Sequence, residues 1–390
     1  MRMTNNKIID KGKQTGRFLV TAIWRKWNLL KNRKTSIDKL AHDEIISVSA
    51  KDIKRKGSNF MIEECPQYKT AIMLLKNSNI SPEDTPYFHF AADQFHYMKD
   101  DPSVKDSPLD RAIFFFQLFN SLKREGYRPD IYGHIEVMID DFGEIKLYEG
   151  HHRFAILRAL DPSKVLDVKV IHRSERWLDF KNSIYRNCQY KKSTYQRILH
   201  PDFNDWEVHY DEGLRFESIL KIIGDPKGKR ILDIGIQNGY FCFRLAKLGA
   251  EVTGIDNQER WVRLAEQFNL VFRTEISFHC NDFVNVLCHY HSKKWDYGLF
   301  LNVFHWLLSQ KKGDIEIVKG SMELLAKRLD SMFFSMGTYD ESGAKDTPFA
   351  RKISSDHIPD WICENTQFTD SKLLFTDQKG RKLYYFTKQS

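Results

Sequence analysis

At 390 residues the chain is too long for one ordinary core, so two domains and an appended segment are expected. Hydrophobic residues at 42% and charged residues at 29% fit a soluble globular protein, and a formal charge of +8 admits an acidic partner without requiring one. No run of 18 apolar residues, no secretory leader and no CxxC pair among the six cysteines is found, which argues against a membrane span, export, a disulfide framework and a zinc site, and for a cytoplasmic chain.

Residues 1–60 are polar and basic. Within them, residues 17–34 (RFLVTAIWRKWNLLKNRK) place Leu19, Ile23, Trp27 and Leu30 on one helical face. Arg17, Arg25, Lys26, Lys31, Arg33 and Lys34 supply charge, and no acid interrupts. Such a helix either covers a core with a solvated basic rim or lies on an anionic membrane surface, as a peripheral contact at the inner membrane.

Residues 61–175 are expected to form a helical part followed by a small α+β domain. Breaks fall at Ser81-Pro82 and Asp101-Pro102, and an apolar helix is expected over about 111–124. Residues 133–139 (GHIEVMI) alternate like a strand, Asp141-Phe142-Gly143 reads as a turn, and 144–148 reads as a second strand. Gly150-His151-His152-Arg153 then opens a helix over 151–160, and 165–172 reads as a third strand.

This order, with GHHR at a helix start, resembles the ParB/sulfiredoxin-like fold. The resemblance implies a phosphate- or nucleotide-binding corner, in which Gly150, His152 and Arg153 would act with the exposed amides of the first helical turn. A structural role for the histidines, bonding between strands, is the competing reading. Adjacent histidines project about 100° apart on a helix and do not share one metal easily, so no metal site is expected.

Residues 176–228 read as a connecting region rich in aromatics and charge, with a helix over 214–223. From residue 229 to 390, strands and helices alternate, as in a parallel sheet with helices on both faces, and 372–388 reads as a closing antiparallel hairpin.

The stretch RILDIGIQNGYF (230–241) ends a buried strand in Asp233 and brackets a turn with Gly235 and Gly239. The next strand, EVTGID, ends in Asp256, where a carboxylate can bind two ribose hydroxyls. A dinucleotide site would show G-x-G-x-x-G; here the spacing is D-x-G-x-x-x-G. An acid ahead of the glycines repels a pyrophosphate and suits an ammonium- or sulfonium-bearing ligand.

Over about 205–340 the chain thus resembles the class I S-adenosylmethionine-dependent methyltransferases, and a Rossmann-like doubly wound sheet is expected behind the smaller N-terminal domain. By that resemblance, Asp233, Gly235 and Gly239 would wrap the methionine part of S-adenosylmethionine. Asp256 would hold the ribose, and Asp282 with Phe283 the adenine. Asn302 begins the loop beside the transferred methyl, and Arg215 would pair with the cofactor carboxylate. Ile236 and Gln237 stand where smaller residues are common.

No D/N-P-P-Y/F/W stretch and no Pro-Cys pair follows the strand at 295–301, which argues against amino-group and cytosine-C5 methylation. The loop NVFHWL offers His305, a candidate general base for a hydroxyl. HPDFNDW and the GRKLYYF ending look similar to O-methyltransferases of small molecules or cell-surface glycans. Two other readings remain open. One is a methyltransferase directed to DNA or RNA, less well supported because Asp140, Asp141, Glu144 and Glu149 break up any basic stripe. The other is a non-catalytic scaffold that senses the cofactor. The acceptor and oligomeric state are not encoded in these motifs.

Overall fold

A computed structural model describes residues 45–55, 61–98, 107–189, 191–290, 292–336, 339, 344–378 and 380–389. The basic helix expected over 17–34 lies outside the described residues. The chain divides into two compact units, Met1–Lys192 and Ser193–Ser390. No helix among the described residues is long and apolar enough to cross a membrane.

The first unit is built on β1 (Ile45–Ser49), β2 (Ile53–Arg55), β3 (Ile135–Ile139), β4 (Ile145–Glu149) and β5 (Val165–Arg173), in the order β1-β5-β3-β4-β2. β3 and β4 form an antiparallel hairpin, β3 and β5 run parallel, and the outer pairs are antiparallel β1–β5 and parallel β2–β4. The period-2 alternation of β3 is visible in burial: Ile135, Val137 and Ile139 are buried, and Glu136 and Met138 are less so. The hairpin turn follows from Asp140, whose Oδ1 accepts the backbone N–H groups of Phe142 (3.0 Å) and Glu144 (2.9 Å). Residues 45–55, expected within the basic N-terminal segment, instead supply both edge strands of this sheet. Their short apolar alternation is too brief to stand out beside the charged run that precedes it.

The expected connecting region is shared between the units. The helix Glu175–Asn187 belongs to the first, capped by Ser174 Oγ, which accepts the N–H of Trp177 at 3.1 Å. The second unit begins with β6 (Ser193–Thr194) and β7 (Glu207–Val208), a small parallel pair, and the helix Gly213–Ile223.

The second unit's large sheet comprises β8 (Arg230–Ile234), β9 (Glu251–Asp256), β10 (Ser277–Cys280), β11 (Trp295–Leu301), β12 (Leu329–Met336), β13 (Asp370–Thr376) and β14 (Lys382–Thr387). Their order is β10-β9-β8-β11-β12-β14-β13. β8 to β12 are mutually parallel, and β14 is inserted antiparallel between β12 and the edge strand β13. Helices between strands cover both faces, which makes this a Rossmann-like doubly wound sheet.

Strands buried on both faces read as continuous apolar runs, and Ile231 to Ile234 are buried throughout. One face packs Phe300, Phe304, Met332, Phe334, Leu325 and Trp361 into a single cluster, each large side chain contributing about 1.5–3 kcal/mol on burial. The strand order reverses between β8 and β11. In such sheets a crevice opens at that point, above the C-terminal strand ends.

Candidate functional site

A cavity of about 870 Å³ occupies this crevice, with Ile234, Asp256, Asn281 and Leu301 at or just past the ends of β8, β9, β10 and β11 among its walls. Gly235 lies on its floor. Its φ of +79° is the left-handed conformation that favours glycine, and a Cβ there would stand 2.4 Å from Val303 Cγ2. The turn that follows contains Gln237, itself at φ +50°, and ends at Gly239, the N-cap of the helix Tyr240–Lys247.

Asp256 ties this turn down. Its Oδ2 accepts the backbone N–H of Gln237 at 3.1 Å and its Oδ1 that of Gln258 at 2.9 Å. Only 7% exposed, the carboxyl is pushed above the usual range by burial, against which these two amides work. Each oxygen retains a further acceptor position and the residue lines the cavity, which suits a pair of vicinal hydroxyls.

Asp282 also lines the cavity. Its Oδ1 caps the helix Phe283–His289 by accepting the N–H of Val284 at 2.9 Å, and its Oδ2 meets Lys311 Nζ at 3.2 Å. Phe283 beside it is buried and presents an apolar surface to the same space.

Asn302, at the end of β11, adopts φ +57°. Its amide Nδ2 donates to the Tyr195 hydroxyl at 3.4 Å, and its Oδ1 accepts from Ser335 Oγ at 3.3 Å. Asparagine tolerates this backbone region better than most residues, and such positions cluster where a ligand must be approached closely. His305 follows in the next helical turn, 9% exposed and facing the cavity, with Nδ1 buried and without a hydrogen-bond partner. Burial first and the Arg381 charge second push its pKa down to about 4, so the ring is neutral at ordinary pH. Neighbouring Trp306 is 56% exposed at the rim.

Arg215 reaches the cavity from the helix Gly213–Ile223 and is buried against Glu212 (3.1 Å) and Asp377 (3.7 Å). Burial raises the Glu212 pKa, and the two nearby arginines oppose that shift. Asp233 is placed differently from the expectation: it is 3% exposed, absent from the cavity wall, and accepts the Cys242 thiol at 3.1 Å. Desolvation pushes its pKa to about 7. Asp233 is therefore tied to the helix that follows the turn, and Gly239 shapes the start of that helix, neither of them lining the cavity.

Several lining residues stand outside the motifs that assign site roles: Tyr195, Gln196, Tyr210, Trp261 and Arg381. They come from the lead-in loop, a helix and the C-terminal hairpin. Only the fold brings them to one place.

The GHHR corner belongs to the first unit and is used within it. Gly150 is the N-cap of the helix His151–Leu160 at φ +88°, and a Cβ there would stand 2.9 Å from Arg153 Nη2. Arg153 Nη1 donates to the carbonyl oxygens of Tyr132 and Gly133, clamping the chain just ahead of β3. His152 Nε2 meets the Tyr87 hydroxyl at 2.8 Å, and its ring stands edge-on to Tyr87 and Phe115. Desolvation, the largest effect, pushes its pKa to about 4. Among the described residues, no group of three or more His, Cys, Asp or Glu side chains is arranged to hold a metal.

Residues 225–336 match the family model described as a methyltransferase domain. Over 71 residues the chain is 32% identical to ubiquinone biosynthesis O-methyltransferases of Bordetella avium (strain 197N) and Alkalilimnicola ehrlichii. Those matches cover 18% of this chain and 30% and 29% of the relatives, so the chain spans less than a third of the curated relatives it matches. Among solved structures it is similar to WbdD at 20% identity and TM-score 0.42, covering 54% of this chain and 47% of that one. It is also similar to magnesium protoporphyrin IX methyltransferase from Synechocystis PCC 6803 with bound SAM, at 19% identity and TM-score 0.35, covering 45% of this chain and 79% of that one. Residues 225–336 thus form a methyltransferase domain on a Rossmann-like sheet.

Proposed function

We propose that the chain is an S-adenosylmethionine-dependent enzyme that methylates a hydroxyl of a small-molecule or glycan-type acceptor. The observation that carries this reading is Asp256. Its buried carboxylate stands at the end of β9, anchors the glycine turn and still offers acceptor positions to the cavity.

The residues present fit the cofactor. Asp256 would take the ribose hydroxyls, Phe283 and the Asp282 edge would bound the adenine, and Gly235, closed against Val303, would keep the turn at the cavity wall. Arg215 and Asn302 would flank the methionine end, with Asp233 and Gly239 keeping the turn in shape. Bound there, S-adenosylmethionine supplies an activated methyl group for an in-line displacement.

The work left to the protein is to position the acceptor and remove its proton. His305 is assigned the second task. Its ring lines the cavity and is neutral, so a ring nitrogen that carries no proton can accept one from a hydroxyl. The O-methyltransferase relatives support a hydroxyl acceptor over the 71 residues they share.

The first unit we read as a ParB/sulfiredoxin-like accessory domain, on the strand–turn–strand–helix–strand order over 135–173. It would recognise an acceptor phosphate or control access, through surfaces other than the internally bonded His152. A methyl-release assay against sugars, phosphorylated sugars, lipids and RNA tests the function. Transfer to a hydroxyl-bearing small molecule or glycan is expected, and transfer to RNA alone would overturn the acceptor assignment.

A further inference from the structure

We infer that Arg381 is an anion-binding residue for the methyl acceptor, so that the acceptor carries a carboxylate or phosphate near the hydroxyl that reacts. The inference rests on the methyl-transfer reading above and goes beyond it, because the GRKLYYF ending that contains Arg381 assigns that residue no role.

Its place in the sheet is the first argument. Moving across the strand order, Asp282 lies past β10, Asp256 ends β9, Gly235 follows β8, and Asn302 and His305 follow β11. Arg381 lies further along, just before Lys382, which pairs in register with Met336 at the C-terminal end of β12. A nucleoside seated on Asp256 and Asp282 therefore occupies one end of the cavity, and Arg381 stands at the other, beyond His305.

Its surroundings are the second argument. The guanidinium lies 3.8 Å over the Tyr210 ring, and Nη1 donates to the Tyr195 hydroxyl at 3.3 Å. These contacts hold a planar donor group in one orientation, as carboxylate and phosphate recognition requires. The Tyr195 oxygen also accepts from Asn302 Nδ2, so both of its acceptor positions are filled and its own proton is left to donate. The cavity end thus presents a fixed cation and an O–H donor.

The third argument is charge. Among the described residues, the carboxylates on the cavity wall are Asp256 and Asp282, both on the nucleoside side. Glu212 and Asp377 are not on the wall: Glu212 pairs with Arg215 at 3.1 Å and also feels the Arg381 charge, and Asp377 Oδ1 accepts the backbone N–H of Arg381 at 2.9 Å. A neutral sugar would need no such arrangement. The Arg381 charge also reaches His305 and helps keep it unprotonated, so the group that orders the acceptor preserves the base.

The test uses the full chain saturated with S-adenosylhomocysteine and titrated by calorimetry with inorganic phosphate and with galacturonate. Wild type, Arg381→Gln and Arg381→Lys are compared, the lysine variant keeping the charge as a control for folding. Anion affinity is expected to fall at least about tenfold in R381Q and less in R381K, with S-adenosylhomocysteine affinity within about twofold in all three. Equal anion affinity in wild type and R381Q would overturn the inference. So would a tenfold or greater loss of S-adenosylhomocysteine affinity in R381Q, which would assign Arg381 to the cofactor's own carboxylate. A wild type that binds no S-adenosylhomocysteine contradicts the methyl-transfer reading, and the same titrations run without it then decide Arg381 by the same comparison.

Discussion

Asp256 and Gln237 are bonded across two strand ends: Asp256 Oδ2 accepts the Gln237 N–H at 3.1 Å, so the carboxylate that ends β9 fixes the turn that follows β8. One side chain thereby shapes the cavity floor and faces the ligand. Asp256→Ala is expected to weaken S-adenosylmethionine binding at least tenfold and to lower stability by about 1–3 kcal/mol, since two backbone donors lose a charged partner. Asp256→Asn keeps an acceptor oxygen and should retain more of the stability than of the binding. Calorimetry and chemical denaturation read the two effects separately.

Gly235 makes a sharper steric prediction. Alanine there must adopt φ +79° and place its Cβ 2.4 Å from Val303 Cγ2. The strain of a left-handed non-glycine residue costs about 1–3 kcal/mol, and the clash adds to it. Val303→Ala should recover the clash but not the backbone strain, so the G235A/V303A pair is expected to be more stable than the sum of the single effects. A double-mutant cycle in denaturant measures this, and strict additivity would contradict the geometry.

His305 and His152 predict a pH dependence of stability. Both have folded pKa values pushed down to about 4 from an ordinary 6.5. Above pH 6.5 neither the folded nor the unfolded state holds the proton, and their contribution is fully present. As pH falls from 6.5 towards 4 the unfolded chain takes up protons that the native state refuses, so stability is lost across that window. Asp233 works in the opposite direction, its folded pKa raised to about 7, so its contribution is present below 3.8 and lost as pH rises through 7. Replacing His305 by Gln should flatten the acid limb of a denaturation-against-pH curve, and an unchanged limb would contradict the burial account.

The same residue carries a kinetic expectation. His305→Gln should lower kcat by about 10²–10⁴-fold, as for loss of a general base, with cofactor affinity unchanged. A base held at a pKa of about 4 also predicts no inflection near pH 6.5 in the wild-type kcat/KM profile. Steady-state rates across pH 5–8 check this.

Arg153 tests the first unit. Arg153→Gln removes the clamp on the Tyr132 and Gly133 carbonyls and should destabilise that unit by about 1–3 kcal/mol. Hydrogen exchange at β3 reports the loss.

Much of this fold is legible in the sequence. The helix expected over 151–160 and the strands over 230–234 and 295–301 coincide with His151–Leu160, Arg230–Ile234 and Trp295–Leu301. Their apolar patterns are long and bounded by glycine or turn residues, so local signals and tertiary packing agree. β1 and β2 are different, because five- and three-residue edge strands owe their existence to pairing with β5 and β4 far along the chain. That Asp256 and Gly235 meet at one cavity is legible because a carboxylate at a strand end and a glycine turn are local features. Tyr195, Tyr210 and Arg381 are not, since they lie up to 186 residues apart and meet only when β14 inserts beside β12. The burial of Asp233 is also hidden: spacing marks the end of β8 but not which way the side chain one residue before that end faces.

Calorimetric titration of the full chain with S-adenosylmethionine, repeated on Asp256→Ala, tests the central claim most directly. The account predicts saturable one-to-one binding to the wild type and at least a tenfold loss in the variant. Absence of binding to a folded wild type, or equal affinity in the two proteins, would contradict it.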